Sequence, residues 1–99
     1  MQIEETKFED SIQLSVEGRI DVTAAPQLQN AILMAYQKTN TLILDLDKTA
    51  YVSSAGLRAF LIGQKTANSK NGKFKLVNVT NDVKEVLKVT GFSTLLDIE

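Results

Sequence analysis

The sequence predicts a single α/β domain over residues 1–99, a mixed β-sheet opened by an N-terminal hairpin and packed with helices in the order ββαβαβαβ. Three observations carry that expectation. Apolar and polar residues alternate near the start, apolar residues recur at helical spacing in three later segments, and a short continuous apolar run separates the first two of these. Crossovers of strand–helix–strand type join parallel neighbours, whereas strands joined by a tight turn pair antiparallel. A chain of 99 residues holds one core, not two.

Each element has its own signal. Gln2 to Phe8 reads as an edge strand, with only Ile3 and Phe8 clearly apolar, and Glu9-Asp10-Ser11 supplies the turn. Ile12, Leu14 and Val16 alternate with Gln13, Ser15 and Glu17, the period of a half-buried strand, and Gly18 suits its end or a bulge. Leu28, Ala31, Ile32 and Ala35 fall on one helical stripe, with Thr23 expected to cap the helix, Pro26 in its first turn and Asn40 beyond its end. Thr41 to Leu46 is the apolar run of a central strand, with Asp45 at its exit ordering a loop that leads to a second helix starting at Ser53 or Ser54. That helix is expected to be the more buried one, with Leu57, Phe60, Leu61 and Gln64 facing inward. Asn71-Gly72 marks a turn, and a strand follows over Lys73 to Asn78. Thr80 or Asn81 caps a third helix with Val83, Val86 and Leu87 inside; Gly91 ends it in the left-handed conformation with Phe92 folding back. Leu95, Leu96 and Ile98 close the chain as a short strand.

Composition removes several function classes. The chain has no Cys and no His, so disulfides, thiolate nucleophiles, zinc fingers and serine–histidine hydrolysis are excluded. A formal net charge of −1 argues against nucleic acid as a partner, and the Lys65, Lys70, Lys73 and Lys75 cluster reads as a solvated rim. No phosphate-cradling glycine loop is present, and Asp45 with Asp47 finds no partner acid, so the protein is expected not to be an enzyme and to need no cofactor or metal. No apolar run reaches a membrane span and the N-terminus lacks a signal-peptide pattern, which leads to the expectation of a cytoplasmic protein with no membrane contact, monomeric when free.

One segment carries chemistry. Tyr51-Val52-Ser53-Ser54-Ala55-Gly56-Leu57 sets two hydroxyls where a strand's exit meets a buried helix. A serine there has two readings: a structural N-cap, or a phosphate acceptor beside free N–H groups. A phosphate brings about −1.5 to −2 charges, enough to dominate the local field of so neutral a domain.

GRIDVTAAPQLQNAI, LILDLDKTAYVSSAGLRAFL and FKLVNVTNDVKEVLKVTGFSTLLDI together resemble the STAS domain over nearly the whole chain, and more closely the bacterial anti-sigma factor antagonists. The resemblance implies that Ser54, with Ser53 as second candidate, is phosphorylated by an anti-sigma factor that is also a serine kinase of the GHKL type. It implies reversal by a PP2C-type serine phosphatase, and partner binding through Asp21, Ser53, Gly56, Leu57 and Arg58. Unphosphorylated antagonist would hold the kinase and free a sigma factor. Ser53 stands where the family often has Asp, Ala55 where Ser or Thr is frequent, and Arg58 where Gly is frequent. The competing expectation is a soluble STAS subunit or scaffold of a transporter, lipid-trafficking or sensory complex, its serines serving only as helix caps.

Overall fold

The computed structural model describes residues 1–99. Five strands and three helices follow one another as β1 (Gln2–Lys7), β2 (Ile12–Ile20), α1 (Ala25–Ala35), β3 (Thr41–Val52), α2 (Ser54–Ser69), β4 (Lys73–Val77), α3 (Asn81–Val89) and β5 (Asp97–Ile98). The sheet order is β1-β2-β3-β4-β5, with β1 antiparallel to β2 and every later pair parallel. From β2 onward each crossover steps the same way across the sheet. Right-handed connections then deliver all three helices to one face. Leu14 and Val16 of β2, Leu42, Leu44 and Leu46 of β3 and Phe74 and Leu76 of β4 join Leu28, Ile32, Phe60, Val83 and Leu87 in one buried cluster. The residues between them, such as Gln13, Ser15, Ile43 and Lys75, point to the other face and are half-buried.

The mixed sheet and its opening hairpin match the sequence reading, and several boundaries do not. The strand expected over Thr41 to Leu46 continues to Val52, so the segment read as a loop is sheet. Its pattern is broken by register shifts: β2 advances five residues from Ser15 to Ile20 while β3 advances seven from Asp45 to Val52. The buried residues there, Leu46, Thr49 and Val52, are three apart, a spacing that hides a strand from any period-2 test. The Thr49 hydroxyl is fully buried and donates to the Val16 carbonyl at 2.9 Å, so a polar side chain sits in the core with its bond satisfied. Asp45 is therefore not at an exit. It lies within β3, where its Oδ1 accepts from Asn78 Nδ2 and Asp47 N, each at 3.1 Å, bracing the β4–α3 connection at left-handed Asn78.

Thr23 does not cap α1. The helix begins after Ala24 with no side-chain cap, and the chain is turned instead by Asp21. Inside α2 the sheet-facing positions are Gly56, Leu57, Ala59, Phe60, Gly63 and Ala67, while Leu61 and Gln64 are only half-buried. Small residues replace the expected large ones because the helix lies close: a Cβ on Gly63 would stand 2.7 Å from the Phe74 ring. At the C-terminus Thr80 caps α3 through Val83 N, and Gly91 is left-handed with φ 80, both as expected. A 3-10 turn over Phe92–Thr94 then intervenes, leaving a closing strand of two residues with Leu95 exposed.

Candidate functional site

The parallel strands β2 and β3 end together, Ile20 opposite Val52, and α1 and α2 both begin at that edge of the sheet, whereas β4 ends earlier, Val77 opposite Asp45. The hydroxyl pair lies there.

Ser53 and Ser54 have different jobs. Ser53 is extended, and its Oγ accepts from Gly56 N at 3.2 Å, the N-cap bond of α2. Its own N–H donates to the Ile20 carbonyl at 2.8 Å, and its carbonyl accepts from Leu57 N at 2.9 Å. Ser53 is thus bound on three sides. Ser54 is the first helical residue, exposed, and takes no part in the cap. The cap reading of the serine pair thus holds for Ser53, and Ser54 stands outside it.

Gly56 explains how close this corner is. A Cβ added there would meet Ile20 Cγ2 at 2.8 Å, Val52 Cγ1 at 2.9 Å and the Ile20 carbonyl oxygen at 3.2 Å. With Leu57 buried beside it, the first turn of α2 is seated on the ends of β2 and β3. Gly56 and Leu57 are therefore underneath the surface that carries Ser54. Arg58 is exposed and belongs to neither ion pair of the chain.

Asp21 directly follows Ile20 and so stands beside the same corner. Its Oδ1 accepts from the Thr23 hydroxyl at 2.8 Å, Ala24 N at 2.9 Å and Thr23 N at 3.1 Å. The hydroxyl bond foremost, then the Ala24 and Thr23 amides and nearby Arg19, hold the carboxyl below its ordinary value of 3.8. The carboxylate thus turns the chain into α1.

Three further surface residues at this edge escape a reading of the sequence. The Arg19 guanidinium stacks on the Tyr51 ring, 4.3 Å from its centroid, because the shifted register sets these two residues opposite each other. Val22, next to Asp21, is 70% exposed, and Tyr51 is 39% exposed. No local pattern announces the stack, since its partners are 32 residues apart and brought together by a bulge. The larger surface concavity, of about 390 Å³, is lined by Gln2, Glu4, Ser15, Glu17, Asp45, Asp47 and Lys48 among others and does not include the serines. No cluster of acids is arranged to hold a metal ion, and no helix is long and apolar enough to cross a membrane.

Comparison with known proteins agrees with this architecture. The family model of the STAS domain matches residues 2–99. The anti-sigma-B factor antagonist of Bacillus subtilis (strain 168) is 29% identical over 90 residues, 91% of this chain and 83% of that protein. An anti-sigma factor antagonist from Mycobacterium paratuberculosis superposes with a TM-score of 0.85 at 21% identity, covering 98% of this chain and 83% of that one. The Bacillus cell fate determinant SpoIIAA in its phosphorylated form superposes at 0.76 with 16% identity, over 99% and 91% of the two chains. With the family model spanning nearly every residue and the same fold in these neighbours, this chain belongs to the STAS domain family.

Proposed function

We propose that this protein is an anti-sigma factor antagonist that works by partner switching. In its unmodified form it binds an anti-sigma factor that is also a GHKL-type serine kinase, and so releases a sigma factor. The kinase transfers phosphate to Ser54: the Ser54 oxygen bonds to the γ-phosphorus of ATP, the bond to the β-phosphate oxygen breaks, ADP leaves, and the hydroxyl proton passes to a base of the kinase. The modified protein lets go, and a PP2C-type phosphatase restores it by hydrolysis. The exchange takes place in the cytoplasm, where the ATP is.

The observation that supports this reading best is the division of labour between the two serines. Ser53 supplies the cap, so Ser54 is exposed at the helix start with no structural duty. A scaffold whose serines served only as caps would have no use for the second hydroxyl. The names of the similar antagonists, and the existence of one neighbour in a phosphorylated form, support it further. Asp21 and Val22 follow Ile20, whose carbonyl holds Ser53, and Tyr51 and Arg58 lie within four residues of Ser54; these residues supply the charge and apolar area of a docking face.

Incubation with ATP and a GHKL-type anti-sigma kinase, followed by mass spectrometry, tests the assignment. Wild type takes one phosphate, on Ser54, and Ser54→Ala takes none. Ser53→Ala still takes one, although loss of the cap costs it about 1 kcal/mol of stability. Ser54→Asp lowers the affinity for the kinase at least about tenfold through like-charge and steric conflict at a packed interface. Stoichiometric phosphate on Ser54→Ala would remove the site from the account.

A further inference from the structure

We propose that Arg58 is a built-in counter-ion for phosphate on Ser54, so that modification closes a clamp within α2. The inference rests on the function above only in taking Ser54 as the modified residue. Ser54 and Arg58 are both exposed, both helical and four residues apart. Side chains at that spacing are neighbours on a helix surface. Helical side chains also lean toward the N-terminus, which carries the Arg58 guanidinium back over the turn that bears Ser54. Between them Gly56 and Leu57 are buried and Ala55 has only a methyl group, so no polar side chain stands in the way.

The charges around this turn leave Arg58 uncommitted. It is in neither ion pair, and the other charge on α2, Lys65, is about two turns further along. Of the charged groups at the same edge, Arg19 is stacked on Tyr51 and the Asp21 carboxylate is bonded to Thr23 and Ala24. Asp82 lies in the first turn of α3. In the unmodified protein the guanidinium is therefore free to meet an acidic group of a partner. A phosphate on Ser54 offers it three acceptor oxygens within the same chain, and guanidinium with phosphate forms the strong bidentate pair. The modification thus acts twice on the surface: it adds an anion and withdraws a cation from reach.

The test installs phosphoserine at position 54 during translation by genetic-code expansion, so no kinase is involved. Phosphorus NMR titration then follows the second ionisation of the phosphate in the wild-type background and in Arg58→Gln, Arg58→Lys and Arg19→Gln. The clamp predicts a pKa about half a unit lower in wild type than in Arg58→Gln. Arg58→Lys should fall between them and Arg19→Gln should match wild type. The phosphate should also raise the melting temperature more in the wild-type background than in Arg58→Gln. Equal pKa values in wild type and Arg58→Gln overturn the clamp, as does a shift that disappears in Arg19→Gln instead. Because the phosphate is installed directly, either failure leaves the proposed function standing, whereas a protein that no anti-sigma kinase modifies would fail the function by a separate measurement.

Discussion

Asp21 shows how one side chain serves structure without giving up its charge. Hydrogen bonds to the carboxylate favour its ionised form, which is why its folded pKa lies below 3.8. The sign follows from linkage: a depressed folded value gives stability that is complete above the unfolded value and lost as pH falls through the folded one. The melting-temperature difference between wild type and Asp21→Ala is therefore expected to be constant from neutral pH to about pH 5 and to shrink below it. A difference that stays constant down to strongly acid solution would mean that the turn needs only the side chain's shape. At this scale the sequence was partly legible. The Ser53-Ser54 pair stood out because adjacent hydroxyls at a strand-to-helix junction have few other uses, but which serine caps depends on where the helix begins, and one residue decides it. Thr23 misled for the same reason: Asp21, three residues before the helix's N-cap, accepts the bonds that a cap at Thr23 would have supplied.

Among the elements, α2 is the one whose placement the function needs most. Its N-terminal turn is fixed by the Ser53 bond to Ile20 and by the bare Cα of Gly56 against Ile20 and Val52. At 2.8 and 2.9 Å the buried, β-branched Ile20 and Val52 side chains would have to move, and the Ile20 carbonyl oxygen at 3.2 Å is backbone. Gly56→Ala is expected to lose about 1–3 kcal/mol by overpacking, measured by urea unfolding, and to displace the turn that presents Ser54. Full stability in that variant would show that the helix start is loosely held. The helical stripes were readable because burial follows their spacing, as with Leu28, Ile32 and Ala35. The second half of β3 was not, since paired bulges put its core residues three apart and only the partner strand β2 reveals the register.

Across the whole molecule, the sheet is covered on one face and strongest in its middle. β3 is hydrogen-bonded on both sides, whereas β1 is bonded only to β2 and its residues are mostly exposed. Hydrogen exchange is expected to find the β1 amides opening well before those of Leu42, Leu44 and Leu46, and equal protection would mean that hairpin and crossovers open as one unit. The overall topology was legible because a short turn and three crossovers leave little freedom once handedness is fixed. The Arg19–Tyr51 stack at the edge where α1 and α2 begin was not, since only the register shift between β2 and β3 brings these two residues together. The two additional residues of β3 have a meaning beyond the sheet. They keep Val52 opposite Ile20 although β3 uses two more residues than β2 to arrive there. The Ser53 N–H can then reach the Ile20 carbonyl, which ties the start of α2 to the end of β2. The bulged strand is thus a spacer of fixed length, and the place where the Ser54 hydroxyl meets solvent is counted out in residues well before the helix begins.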